Sequence, residues 1–371
     1  MTYNWQQPDW GKFTYSIDKI EDLLFTFTEK AGHIKGLLKA IPKSSHEEAI
    51  IEILVSEALK TFEIENEFLS REDVMSSIRH NLGLYEPNHT IKDSRAKGIG
   101  QLMIEVRNTY DLSLDELTIK NWHRLLFEHQ TMIKTGEWRV HKAPMQVVSG
   151  RLDQPTIHFE APPSHKVPQM MKLFVDWFND TSLLGKHPIK HAPIRSAMAH
   201  LYFESIHPFE DGNGRIGRVI ADKALSQTSG YPLVLSLSAA IENNKKDYYN
   251  ALKEAQKSNE ITGWLLYFLQ VIIDAQSTTE GLINFTLKKI QFFDRHRSAL
   301  NKRQLKAVNR MFKEGPKGFK GGMTAKKYMR ITQTSKATAT RDLKYLEQIG
   351  ALNVSGGGRS THYTLNFDPS N

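Results

Sequence analysis

The stretch HPFEDGNGRIGR, His207 to Arg218, constrains the fold of this chain more than any other, because it breaks two helical patterns apart. Pro208 disfavours helix at His207, so the helix predicted through AMAHLYFESI should end there. Gly212 and Gly214 open backbone paths closed to other residues and expose N–H groups. RIGRVIADKAL regains three-and-four spacing, which predicts that a helix restarts near Ile216. A glycine-rich loop feeding a helix N-terminus is an anion site.

The side chains of the stretch suit that anion. Asn213 adds amide donors, and Arg215 and Arg218 add guanidinium groups matched to phosphate oxygens. Asp211 offers a hard oxygen ligand to a divalent metal. His207 titrates near neutrality, at about 6.5 when unperturbed, and is the candidate general base. Together these residues point to phosphoryl or nucleotidyl transfer.

Around this loop the apolar residues recur mostly at helical spacing. Amphipathic helices are predicted over 47–69, 169–184, 196–206 and 247–257. Ser70 with Asp73 reads as a helix N-cap. The clearest strand signal is PMQVVSGRLDQPTIHFEAPP, 144–163, two apolar segments around a glycine-containing turn and bounded by prolines. The 371 residues suffice for two or three domains. With no cysteine there is no disulfide or thiolate zinc site, and a reducing cytoplasm fits. The first residues carry no signal-peptide pattern, and the longest apolar run, from Gly263, is too short to span a bilayer. A soluble, cytoplasmic protein is expected.

The net charge of +8 is unevenly spread. Residues 281–371 hold 18 Lys and Arg against 5 Asp and Glu, whereas the rest is mildly acidic. That asymmetry suggests a separate module with a polyanionic partner. Within it, TSKATATRDLKYLEQIG opens on capping residues and closes at Gly350. Leu343, Leu346 and Ile349 give this helix an apolar face, opposed by Lys336, Arg341 and Lys344. ALNV and HYTL alternate around SGGGRS as a hairpin should. With the preceding MTAKKYMRIT, this resembles a winged helix-turn-helix, whose second helix is suited to a DNA major groove.

The opening stretch closely resembles the signature of the Fic (Fido) family, His-Pro-Phe-x-(Asp/Glu)-Gly-Asn-Gly-Arg-x-x-Arg, and fills every specified position. WQQPDW at 5–10 looks like the N-terminal segment of a subgroup of this family, although Gly11 stands where proline is common there. GEWR, PMQVVSG and FEAPP look like the family's flap, and KKDYYNALKEAQ like its nucleotide-contacting helix. The likeness covers roughly residues 5–275. It implies a mostly helical core with a small hairpin flap, here followed by the winged helix-turn-helix. The expected divisions are 1–95 for an N-terminal helical region, 96–280 for the catalytic core and 290–371 for the C-terminal domain.

The resemblance also implies transfer of AMP from ATP, with Mg2+, to a Ser, Thr or Tyr hydroxyl of a protein. In it His207 is the catalytic base, Phe209 anchors the loop and Asp211 ligates magnesium. Asn213, with the backbone of Gly212 and Gly214, holds the α-phosphate; Arg215 grips the β-phosphate region and Arg218 the γ-phosphate. Ile216 and Gly217 complete the ATP-binding stretch, Tyr248, Tyr249 and Gln256 fall where relatives contact adenosine, and Glu210 is solvated. Upstream, TFEIEN matches the family's inhibitory pattern, (Ser/Thr)-x-x-x-Glu-(Gly/Asn). In that reading Thr61, Glu65 and Asn66 form an inhibitory motif, and Glu65 pairs with Arg218 in the γ-phosphate site. The expected partners are a target protein with a modifiable hydroxyl, the chain itself, DNA at the C-terminal module and a second copy in a homodimer, with no membrane. Some relatives transfer other phosphate-containing groups or remove AMP. The alternative is an ATP-sensing, DNA-binding transcription regulator built on the same domain; an intact His207 favours the enzyme.

Overall fold

The computed structural model describes residues 2–84, 90–127, 130, 133–151 and 154–367. Among them are fourteen α-helices and four short strands. In chain order the first helices are α1 (Glu21–Ala40), α2 (Lys43–Ile64), α3 (Arg71–Asn81), α4 (Ser94–Asn108) and α5 (Glu116–Phe127). An antiparallel hairpin follows, β1 (Gln146–Arg151) and β2 (Gln154–Glu160), with a register shift between Val147 and Val148. Then come α6 (Val167–Asp180), α7 (Ala192–Ile206), α8 (Asn213–Ser229), α9 (Leu237–Asn243), α10 (Lys245–Ala255) and α11 (Thr262–His296). The chain ends in α12 (Lys302–Lys313), α13 (Ala325–Thr332), α14 (Lys336–Gln348) and the hairpin β3 (Leu352–Ser355) and β4 (His362–Leu365). The fold is mostly helical, as expected, and the predicted flap segment is a hairpin whose turn residues Leu152 and Asp153 lie outside the described residues.

Two compact units divide the chain: residues 1–36 with 50–280, and residues 37–49 with 281–371. The first is organised about α7, in which all fifteen residues are buried. This overturns the amphipathic pattern read over 196–206. A helix covered on every side must satisfy its polar groups internally. Arg195 does so by donating to the Phe178 carbonyl at 2.6 Å, to Thr228 at 3.0 Å and to Gln227 at 2.8 Å. Ser196 donates to the Ala221 carbonyl on α8, and Ser205 accepts from Asn4.

The other predicted helices occur with shifted ends. The pattern over 47–69 runs past the end of α2 because Asn66 takes a left-handed conformation, φ 57°. The Glu67 N–H then bonds the Phe62 carbonyl at 3.0 Å, closing the helix in a Schellman-type turn. Ser70 caps α3 by accepting from the Asp73 N–H. The helix expected from Ile216 starts three residues earlier, at Asn213. Gly212, φ 79°, serves as its left-handed N-cap, so the glycines belong to the start of the helix as well as to the loop.

The second unit has its own apolar core, with Phe312, Val308, Tyr328, Leu343 and Leu346 buried together. Thr324 caps α13 and Ser335 caps α14, each accepting a backbone N–H three residues on. A left-handed Gln333, φ 52°, turns the chain between these helices. Asp342 on α14 accepts from Arg303 at 2.6 and 3.1 Å and from the Tyr328 hydroxyl at 2.9 Å, tying the three helices together. Strands β3 and β4 pair Leu352 with Leu365 through Ser355 with His362, and Met323 adds a bridge to Tyr363.

Candidate active site

The His207–Arg218 loop joins α7 to α8, so its ends are held by two helices of the core. His207 itself is left-handed, φ 51°, an uncommon conformation for a residue with a side chain. Carbonyls of this turn, and that of Pro162 after β2, are taken by Arg139. Its Nε donates to the His207 carbonyl at 2.7 Å and its Nη2 to those of Pro162 at 2.5 Å and Ile206 at 3.3 Å. The Arg139 backbone N–H bonds the Pro208 carbonyl at 2.9 Å. Arg139 therefore clamps the turn from the far side.

Phe209 is fully buried and stacks on His123 with ring centroids 3.9 Å apart. His123 accepts from the Gly136 N–H at Nδ1, 2.9 Å, so its Nε2–H points at the Asp211 carbonyl, 3.1 Å away. Burial pushes its pKa down to about 4, which keeps it in that neutral form. Asn213 spends both ends of its amide on Phe209: Oδ1 accepts from its N–H and Nδ2 donates to its carbonyl, each at 2.9 Å. In this structure the Asn213 side chain staples the loop. A Cβ on Gly212 would stand 2.3 Å from the Phe127 ring, so glycine is required there twice over.

The charged residues divide sharply. Glu210 is exposed, and the Asp211 carboxylate is half-exposed at the rim, 3.4 Å from Arg215. Among the described residues no group of three or more His, Cys, Asp or Glu gathers as a metal cage. His207 is almost enclosed, and its Nδ1 is buried without a hydrogen-bond partner. Burial first, and Arg139 second, lower its pKa to about 4, so it is a neutral imidazole at pH 7.

The two signature arginines are both engaged by the end of α2. Arg218 donates through Nε to the Thr61 hydroxyl at 2.9 Å, and through Nη2 to the Thr61 carbonyl and Glu65, each at 3.1 Å. Burial works against its charge, and Glu65 overcomes that cost, so the guanidinium stays protonated. Arg215 donates to Glu67 at 2.9 Å, and Glu67 also accepts from Arg95 at 3.0 Å. Glu57, two turns before Glu65 on the same face of α2, accepts from the Ser238 N–H at 2.8 Å and anchors the helix to α9.

Of the remaining expected residues, Ile216 is a core residue and Gly217 lies beneath the Glu204 carboxyl. Tyr248 is buried with its hydroxyl 2.8 Å from His200 Nε2, and Gln256 is buried and donates weakly to the Glu204 carbonyl. Only Tyr249 of the three expected at adenosine is exposed. Sequence reasoning missed Glu67, His123, Arg139 and Glu204. GEWR contained Arg139 as part of the flap, but nothing local tied it to a turn 68 residues away.

Residues 113–225 match the Fic/DOC family, and residues 3–84 match a domain of unknown function, DUF4172. The chain is similar to the protein adenylyltransferase Fic of Drosophila willistoni, 30% identical over 170 residues, which are 45% of this chain and 29% of that protein. It is likewise similar to the protein adenylyltransferase Fic of Aedes aegypti, 29% identical over 50% of this chain and 33% of that one. A probable protein adenylyltransferase of Aquifex aeolicus is 33% identical over 99 residues, 27% of each chain. These matches span a third or less of the relatives' length. A crystal structure of a Fic family protein from Desulfovibrio desulfuricans shares the fold at TM-score 0.54 and 19% identity, covering 95% of this chain and 97% of that one. One of a Fic domain-containing signaling protein from Bacteroides thetaiotaomicron does so at 0.52 and 18%, covering 70% and 97%. The loop, the helices that hold it and these likenesses together identify residues 113–225 of this chain as a Fic/DOC family domain.

Proposed function

We propose that this chain is a protein adenylyltransferase, moving AMP from ATP to a Ser, Thr or Tyr hydroxyl of a target protein, and that the end of α2 restrains it. The observation that carries the reading is a neutral, nearly enclosed His207 beside the glycine-built N-terminus of α8. A helix N-terminus stabilises anionic phosphate, and a neutral imidazole accepts a proton. In the step, the target O–H bond breaks and its proton goes to His207. The freed oxygen bonds the α-phosphorus, and the bond from that phosphorus to the leaving oxygen breaks, releasing pyrophosphate. The backbone around Gly212 and Gly214 faces the charge that develops.

The donor set fits magnesium. A single rim carboxylate, Asp211, is what this ion commonly takes from a protein, with water and substrate phosphates completing its shell. When bound, it would neutralise phosphate charge. Restraint rests on Arg218: a guanidinium bonded to Thr61 and Glu65 is not free to clamp a γ-phosphate.

The test is intact-mass analysis of the protein incubated with ATP and magnesium, wild type beside Glu65→Gly. Gain of one or more AMP by Glu65→Gly, well above wild type, is the expected result. A catalytically silent Glu65→Gly protein that still binds ATP would favour the ATP-sensing regulator.

A second role belongs to the C-terminal unit, for which DNA is the proposed partner. Lys336, Arg341 and Lys344 are exposed on α14, beside the β3–β4 hairpin, whose Asn353, Val354, Ser355 and Thr364 are exposed, in the most basic part of the chain. Helices joined by a three-residue turn, the second presenting cations, suit a major groove flanked by phosphates.

A further inference from the structure

Glu204 is a carboxyl group that the transfer step above does not use, yet it lies against the base. It stands one turn before His207 on α7, and the left-handed backbone at His207 folds the imidazole back over that turn. Glu204 Oε2 is 3.7 Å from His207 Nδ1. Glu204 is buried and His207 nearly enclosed, and among the described residues neither Nδ1 nor Glu204 Oε1 has a side-chain hydrogen-bond partner. Oε1 rests on α8 where residue 217 has no side chain: a Cβ on Gly217 would lie 2.5 Å from it. A buried carboxyl oxygen and an imidazole nitrogen left without partners are costly, and a native structure keeps them for a reason.

We infer that Glu204 is a positioning residue for the proposed transfer, its carboxylate accepting the Nδ1–H of His207 so that the Nε2 lone pair faces the substrate hydroxyl. The inference rests on the transferase reading for its role and on the geometry for its existence. Before reaction, His207 carries one proton, on Nδ1, and Glu204 is ionised. The hydroxyl proton moves to Nε2, and the imidazolium that forms is held beside a carboxylate. If Glu204 is instead protonated, it donates to Nδ1 and leaves the ring proton on Nε2, where it blocks the base. The wrong tautomer of a general base is severely disabling.

Other groups set which form prevails. Burial raises the Glu204 pKa to about 8; Arg218 on α8 opposes this and Glu65 at the end of α2 adds to it. Tyr248 on α10 faces the same space and stays protonated, while His200, buried on α7, is neutral. Arg139 faces His207 and disfavours its charged form, with Asp211 and the Glu204 carbonyl acting the other way. Glu204 therefore holds its proton at pH 7 and releases it as pH rises through about 8. Loss of the Glu65 charge moves that point down.

The test uses the full chain in two arms. In the Glu65→Gly protein at pH 9, where Glu204 is ionised, Glu204→Gln should lower kcat about 100-fold with ATP affinity unchanged. It should also abolish the rise in rate towards pH 8, because glutamine mimics the protonated acid at every pH. Equal kcat and an unchanged pH profile would overturn the inference, and would mean that the Glu204 carbonyl alone orients the ring. The second arm needs no activity: nitrogen NMR of histidine-labelled wild type, with His207 assigned by its loss in His207→Ala. The ring should pass from the Nε2–H to the Nδ1–H tautomer between about pH 6 and pH 10. A tautomer fixed across that range overturns the inference. If Glu65→Gly transfers no AMP, the transferase reading fails and this second arm still decides the pair.

Discussion

Arg215 and Glu67 are bonded at 2.9 Å, only two residues beyond the carboxylate that engages Arg218. Two acids on one turn thus occupy two arginines spaced three apart on α8, so relief at Glu65 alone leaves Arg215 paired. Glu67 is partly exposed, and such a pair contributes on the order of 0.2–1 kcal/mol. In the Glu65→Gly protein, Glu67→Gln should therefore tighten ATP binding about 1.5- to 5-fold. Titration calorimetry with ATP and magnesium reads this directly. An unchanged Kd would show that Arg215 does not meet the nucleotide's phosphates.

His207→Ala should abolish transfer while leaving the fold in place. Removing a general base costs on the order of 100- to 10,000-fold in rate. Arg139 holds the backbone carbonyls of Ile206, His207 and Pro208, and the alanine side chain disturbs none of them. The double variant Glu65→Gly/His207→Ala should be silent as well, because releasing Arg218 does not replace the base. Labelling at the Glu65→Gly rate, at equal folded concentration, would remove His207 from the mechanism.

How far the site was legible depends on how local its physics is. The loop could be read because proline, glycines and arginines declare turn, N-terminus and anion in one short stretch. TFEIEN was legible for a similar reason, with Asn66 tolerating the left-handed turn that ends α2. Glu67 sits one residue past that pattern and was passed over. His123 and Arg139 act on the loop from 84 and 68 residues away, and no periodicity signals a stacked ring or a clamp on carbonyls. The central helix defeated the pattern altogether. Arg195 and His200 mimic a polar face, but their partners lie on other helices, and polarity in sequence does not distinguish a solvated group from a paired one.

The C-terminal unit should lose stability in acid through Asp342. Burial alone would raise this carboxyl, and the bonds from Arg303 and Tyr328 more than reverse that, so its folded pKa lies below the usual 3.8. A depressed carboxyl stabilises the fold above its unfolded pKa and loses that contribution as pH falls through the folded value. The loss should therefore begin below about pH 4. Asp342→Asn should cost about 1–3 kcal/mol at neutral pH, since Arg303 loses a charged partner. Thermal unfolding of both proteins from pH 7 to 3 measures it. Equal Tm values at pH 7 would mean that packing alone holds α12, α13 and α14.

The basic end of the chain gives the last prediction. Residues 281–371 carry 18 cations against 5 anions, and Lys336, Arg341 and Lys344 lie exposed along α14. If α14 meets duplex DNA, each neutralised phosphate releases counterions, and the log–log slope of affinity against salt is about −0.9 per contact. Replacing the three cations by alanine should weaken binding at low salt and flatten that slope by up to about 2.7. All three are exposed, so the variant should fold, with an unchanged Tm. Fluorescence anisotropy with the full chain and a labelled duplex, over a series of salt concentrations, separates the outcomes. Affinity that falls equally in both proteins would place the phosphate contacts on another face of the unit. No binding by wild type at low salt would remove DNA as the partner and leave α14 as a surface for an acidic protein.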